Sequence, residues 1–291
     1  MHKHLFLGLF YLSMSLGLCG CSEKPIEYEE PIDFSSVDWF ALRAHAAYKT
    51  EAEIRQLLPN TVRVATLENS DVQYFLERNN ESTQQIISIR GTDNLANIKQ
   101  DADYIPSKNT KLGIYVHKGF DRDTSALYKD LLPHLDKSQS VVLTGHSLGA
   151  AISTLLMIYL HEDGFKIAPS VNFGQPKFTS LGGAKKYDFL PLIRVKNQND
   201  IVPNLPPVSV FDSLHGHYAH MGRELILLPG PYYVFRSVSQ SEHHSVDSFW
   251  RDIGEESVED HRMVHYVANI SPKLESSEQV SMKTLERYDT H

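Results

Sequence analysis

The sequence predicts an α/β fold with a mostly parallel central sheet and helices on both faces, and three observations carry that reading. A chain of 291 residues, 41% apolar and 22% charged, is long enough for one large domain with a well-buried core. Through its second half, short apolar runs alternate with helical stretches, the pattern of strands laid parallel by helical crossovers. At the centre stands Gly145-His146-Ser147-Leu148-Gly149, with the strand-type run Val141–Thr144 before it and Ala150–Met157, of buried-helix composition, after it.

Taken in order, the chain begins with His2-Lys3-His4, an apolar run from Leu5 to Leu18 and small residues. This reads as a secretory signal over residues 1–20, too short and one-sided for a comfortable spanning helix. Its end, Leu18-Cys19-Gly20-Cys21, resembles the lipobox of bacterial lipoproteins, which implies acylation of Cys21 as the first mature residue; cleavage nearby to a soluble secreted protein is the alternative. Several acyl chains would hold such a protein firmly on a membrane, since each buried methylene contributes about 0.8 kcal/mol. Ser22, rather than an aspartate, implies the outer membrane if the host is Gram-negative. Residues 21–32, acidic and interrupted by Pro25 and Pro31, form a tether.

The domain is expected over residues 33–270. Helical spacing covers Val37–Tyr48 and Glu51–Leu58, the second stopped by Pro59. Strand-like runs follow at Thr61–Leu67, Val72–Arg78 and Gln85–Arg90, with Asn79-Asn80 suiting a hairpin turn. After the central glycine motif come a helix to about Asp163, a strand at 170–174, a helix at Ala184–Phe189 and a strand at Leu192–Val195. A hairpin turns around Pro229-Gly230-Pro231, a last helix spans Arg262–Ile270, and residues 271–291 read as a loose polar tail.

Composition excludes several functions. With 28 basic against 36 acidic residues, a formal net charge of −8 and no basic cluster, nucleic acid is not an expected partner. The two cysteines, Cys19 and Cys21, both precede the domain and cannot supply it with a disulfide framework or a zinc site. His215-x-His217 has no partner ligand at useful spacing, so no metal and no cofactor are predicted.

What remains is the serine. A Gly-x-Ser-x-Gly between strand and helix reads as a nucleophile elbow, a turn so sharp that the −2 and +2 positions must lack bulk; the bland reading is an ordinary glycine-rich turn. A neutral hydroxyl attacks poorly, so it needs a histidine to take its proton and a carboxylate to orient that histidine. Asp200, opening Asp200-Ile201-Val202-Pro203 beyond the strand that ends near Lys196, stands where sites of open α/β sheets lie. Among fifteen histidines, His261 is preferred at a loop-to-helix junction, with His265 one turn on as the rival and His220, His243 and His244 also late in the chain.

Several segments then carry a resemblance. Ile89-Arg90-Gly91-Thr92, with Asn97 and Asp101, resembles the oxyanion and lid region of the class 3 (fungal-type) lipases, an α/β-hydrolase family that carries Phe-Arg-Gly-Ser/Thr there. His117-Lys118-Gly119-Phe120, Phe173–Lys177, Asn199–Pro207, His220-x-Gly222-x-Glu224 and Asp260-His261 with Tyr266 are similar to further segments of that family, in register from about Asp33 to Ile270. Ile89 replaces the usual phenylalanine, Ile98 stands where tryptophan is frequent, and the disulfides of fungal members are absent.

The resemblance implies an α/β-hydrolase domain with Ser147 as nucleophile, Asp200 as orienting acid and His261 as general base. It also implies an oxyanion hole from Thr92 and the Leu148 amide, where one donor contributes about 2.7–4 kcal/mol; alternatively Thr92 only caps a following helix. Asp93–Asp103, with Leu95, Ile98 and Ala102 at helical spacing, reads either as an amphipathic cover or as an ordinary surface helix. The expected activity is hydrolysis of lipid carboxylic esters through an acyl-enzyme, on a membrane held through Cys21. A phospholipase A1, thioesterase or acyltransferase with the same three residues, or a binding module with a dead site, are the alternatives.

Overall fold

Side-chain caps start the first two helices. The Asp33 carboxylate accepts from Ser35 N to begin α1 (Phe34–Ala46), and Thr50 with Glu53 forms a reciprocal capping box on α2 (Glu51–Leu57). In the computed structural model the described residues are 31–68, 70, 72–78, 83–92, 106–206, 218–236 and 259–281. The chain divides into Met1–Glu30 and Pro31–His291, and the fold is that of the second unit. Cys19, Cys21, the signal, nearly all of the tether, the cover segment with Asn97, Ile98 and Asp101, and His215, His217, His243 and His244 lie outside the described residues.

After α2 an antiparallel meander of β1 (Thr61–Thr66), β2 (Gln73–Arg78) and β3 (Gln84–Ile89) enters the sheet. The parallel centre then runs β3, β6 (Ser140–His146), β7 (Ser170–Phe173), β9 (Leu192–Asn197) and β11 (Arg223–Leu227). An antiparallel β12 (Tyr232–Arg236) and a short parallel β13 (Glu278–Gln279) complete nine strands among the described residues. Alternate side chains of β6 serve two cores. Val141 and Leu143 join the cluster built on α3 (Lys118–Leu131) and α4 (Leu148–Glu162), while Val142 joins that of α1 and α6 (Met263–Glu275) on the other face. The mostly parallel sheet with helices on both faces is therefore present, and its strand β6 leads directly into the elbow.

Three features differ from the sequence reading. Between residues 106 and 131 the chain forms β4 (Pro106–Asn109), β5 (Ile114–His117) and α3, and β4 and β5 join β8 (Thr179–Ser180) and β10 (Tyr218–Ala219) in a second sheet. These strands are two to four residues long, too short for alternation to show. The helix expected at Ala184–Phe189 is α5 (Leu181–Tyr187), capped by Ser180 and ending before Phe189, which stands 66% exposed. The tail is the clearest correction. The last helix continues through Pro272 to Glu275, and residues 278–279 pair with β12. Lys273 makes this possible: its buried ammonium donates to the carbonyls of Leu228, Gly230 and Asn269 at 2.7, 2.8 and 2.8 Å, fastening the helix end to the β11–β12 turn.

Candidate active site

Ser147 links β6 to α4 with φ 57° and ψ −128°, the one non-glycine residue of positive φ among the described residues. Such a conformation costs about 1–3 kcal/mol and persists only where the surroundings fix it. They do so here by leaving no room for side chains. A Cβ on Gly145 would lie 2.5 Å from the Gly149 oxygen, and one on Gly149 would lie 2.4 Å from the Ile89 oxygen. Ser147 N donates to the Phe173 carbonyl at 3.0 Å, tying the elbow to β7.

The carboxylate arrives from the loop after β9. Asp200 is fully buried; its Oδ1 accepts from Val202 N at 2.9 Å, and its Oδ2 accepts from His261 Nδ1 at 2.7 Å and from the Tyr266 hydroxyl. Burial alone raises a carboxyl's pKa, but the His261 ring and these donors outweigh it and hold Asp200 below the ordinary carboxylate value. Burial and Asp200 push Tyr266 well above a normal phenol, so its proton stays on the phenol and is donated to the acid. A carboxylate only accepts, so His261 carries its proton on Nδ1 and presents a bare Nε2.

His261 is placed by its neighbours. Asn197, the last residue of β9, donates to the Asp260 carbonyl at 2.9 Å and accepts from Asn269 of α6 at 3.1 Å. Gly174, at φ +56°, leaves room for the ring: a Cβ there would lie 2.7 Å from His261 Cε1. His265 is half-buried a turn along α6, while His261 makes the bond to Asp200, so the two candidates left open by spacing are separated by geometry. Ser147 Oγ and His261 Nε2 are both buried, and neither makes a hydrogen bond among the described residues. Bonds of this kind commonly close only with substrate in place.

The oxyanion segment follows β3. A Cβ on Gly91 would lie 2.5 Å from the His146 oxygen and 2.9 Å from Ser147 Cβ, so Arg90-Gly91-Thr92 runs directly over the elbow. Leu148 is the first residue of α4, and its amide is among those a helix start leaves without an intrahelical acceptor. His220 lies elsewhere: it is buried and bonded through Nε2 to the Pro203 carbonyl at 2.8 Å, beneath the loop that carries Asp200.

Sequence reasoning missed a second histidine at the centre. His146, adjacent to the serine, is buried with Nδ1 2.7 Å from the Tyr48 hydroxyl and Nε2 2.7 Å from the His261 carbonyl. Its ring stacks on that of His261, centroids 4.6 Å apart at 31°. Burial, with the neighbouring His261, pushes its pKa down to about 3 and keeps it neutral. No spacing rule couples residues 48, 146 and 261.

A buried carboxylate–histidine pair beside a serine on a strand-to-helix elbow, at the ends of a parallel sheet, is the arrangement of an α/β-hydrolase. The structure superposes on the lipase from Rhizopus microsporus var. chinensis with a TM-score of 0.61 at 20% identity, over 77% of this chain and 89% of that one. Residues 86–210 of this chain match the model of the Lipase (class 3) family. In sequence it is 30% identical over 158 residues to a lipase of Rhizomucor miehei, covering 50% of this chain and 43% of that protein. It is 29% identical over 147 residues to phospholipase A1-II 6 of Oryza sativa subsp. japonica, covering 44% of this chain and 34% of that protein. The chain thus spans less than half the length of either curated relative.

Proposed function

We propose that the protein is a serine carboxylic ester hydrolase acting on lipid esters of the triacylglycerol type. The observation that carries this reading is the Asp200–His261 hydrogen bond, which leaves a bare imidazole nitrogen at the site of the strained Ser147. His261 Nε2 takes the hydroxyl proton as Ser147 Oγ attacks the ester carbonyl, and Asp200 stabilises the imidazolium that forms. The Thr92 and Leu148 donors receive the negative oxygen. The alcohol leaves with the proton from His261, and water, deprotonated by the same nitrogen, then releases the fatty acid and restores Ser147.

Ser147→Ala is expected to lower ester hydrolysis by about 10⁴-fold or more and to abolish labelling by a fluorophosphonate, as is His261→Ala for hydrolysis, while His265→Ala retains most activity. Labelling that survives in Ser147→Ala overturns the assignment. Phospholipase A1 activity is the second reading, supported by similarity to a rice protein so named. Rates on emulsified triacylglycerol and on phospholipid vesicles separate the two, since the chemistry at the carbonyl is shared and only the leaving group differs.

The lipobox-like Leu18-Cys19-Gly20-Cys21 supports a further part of the proposal, anchorage in a bacterial envelope through acylated Cys21, at the outer membrane if the host is Gram-negative. Cys21→Ser is expected to move the protein from the membrane fraction to the soluble fraction of expressing cells; an unchanged distribution removes the anchor.

A further inference from the structure

We propose that Tyr48 and His146 form a positioning pair that locks the main chain and ring of His261 in the orientation needed to take the serine proton. The inference rests on the hydrolase reading above and adds two residues to it. The His261 carbonyl can only accept, so the nitrogen 2.7 Å from it, His146 Nε2, carries the hydrogen. His146 Nδ1 is then bare and accepts from the Tyr48 hydroxyl at 2.7 Å. The His261 carbonyl thereby fixes the neutral tautomer, and the Tyr48 hydroxyl, donating to the bare nitrogen, holds the ring in place to keep that bond. The reverse tautomer would turn a lone pair toward the His261 oxygen.

Position strengthens the case. His146 precedes the nucleophile, and its ring stacks on that of the base, so one side chain references both reacting groups to each other. Tyr48 follows α1 and reaches the same point. A Cβ on Gly91 would lie 2.5 Å from its hydroxyl, which joins the oxyanion segment to the pair. The charged and titratable groups around His146 are His261, Asp200 and His45 together with the Tyr48 and Tyr266 phenols. A cationic His146 stacked on the base would oppose the imidazolium that forms during reaction, so the pair must be neutral to serve. Displacement of a general base by an ångström costs about 100-fold in rate, which sets the scale of the effect.

The test uses the full chain with a soluble short-chain ester, a fluorophosphonate and nitrogen-15 histidine spectra. Tyr48→Phe is expected to lower kcat about tenfold and the phosphonylation rate in parallel, with KM unchanged. His146→Leu, which removes both bonds, is expected to lose about 100-fold, and His146→Gln, whose amide can still donate to the His261 carbonyl, to recover most of that loss. In the wild type, the signal absent from His146→Gln is expected to show a protonated Nε2 and a bare, hydrogen-bonded Nδ1, and in Tyr48→Phe the Nδ1 resonance is expected to move as it loses its donor while Nε2 stays protonated. Should His146→Leu fail to fold, Tyr48→Phe carries the kinetic test alone. An unmoved Nδ1 resonance with unaltered kcat in Tyr48→Phe, or a loss confined to KM, overturns the pair. A wild type that neither hydrolyses esters nor reacts with the phosphonate overturns the hydrolase reading instead, and the tautomer still decides the bond.

Discussion

Ser147 is held in a conformation that side chains rarely adopt, in a turn so close that a Cβ on Gly145 or Gly149 would lie 2.4–2.5 Å from a backbone oxygen. That much is legible in a five-residue motif, because backbone sterics act locally. Asp200 and His261 were legible as candidates, since chain order and loop position narrow the choice, but the choice between His261 and His265 required the bond to Asp200. His146 was invisible as a participant: its partners are 98 and 115 residues away. Its neutrality has a measurable result. Because His146 gains a proton only near pH 3, log(kcat/KM) below the optimum and above about pH 4 is expected to rise with pH at a slope of one. A slope of two would show a second histidine titrating with the base.

Among the elements, α6 best separates what periodicity shows from what packing adds. Its apolar spacing ends near Ile270, and Pro272 argues for a stop, yet the helix runs on to Glu275 because Lys273 satisfies carbonyls of α6 and the β11–β12 turn together. Two of those acceptors, on Leu228 and Gly230, belong to a hairpin more than forty residues earlier, so no local pattern announces them. Lys273→Met keeps the buried stem but strands three carbonyls. It is expected to lower stability by about 1–3 kcal/mol, read as a lower urea midpoint at unchanged slope. An unchanged midpoint would mean that the lysine bonds follow the helix rather than hold it.

Across the whole molecule, the sheet is crossed by a buried ionic cluster on β9, β11 and β12, in which Glu224 bonds both Arg194 and Arg236. Burial drives the Glu224 pKa upward, but the two guanidiniums prevail and hold it at about 2. A carboxyl depressed in the fold contributes stability that is fully present above its unfolded pKa of about 4.3 and is lost as pH falls from there toward 2. Asp200 acts in the same direction. Glu224→Gln removes the carboxylate that two buried arginines share and is expected to lose about 3–5 kcal/mol near neutrality. Urea midpoints at pH 7, 4 and 3 should also fall less steeply in the variant than in the wild type. Equal acid slopes in both would place the linkage elsewhere.

By itself the sequence determined the α/β class, the alternation of strands and helices along the second half of the chain and the serine of the strand-to-helix elbow, since each follows from composition, period or steric fit over a few residues. The short second sheet, the continuation of α6 to Glu275, the bond of His261 rather than His265 to Asp200 and the chain of contacts from Tyr48 through His146 to His261 were decided only by the tertiary structure. Those outcomes depend on which distant carbonyls, carboxylates and rings become neighbours when two cores close around one sheet, and that adjacency has no local spacing to reveal it.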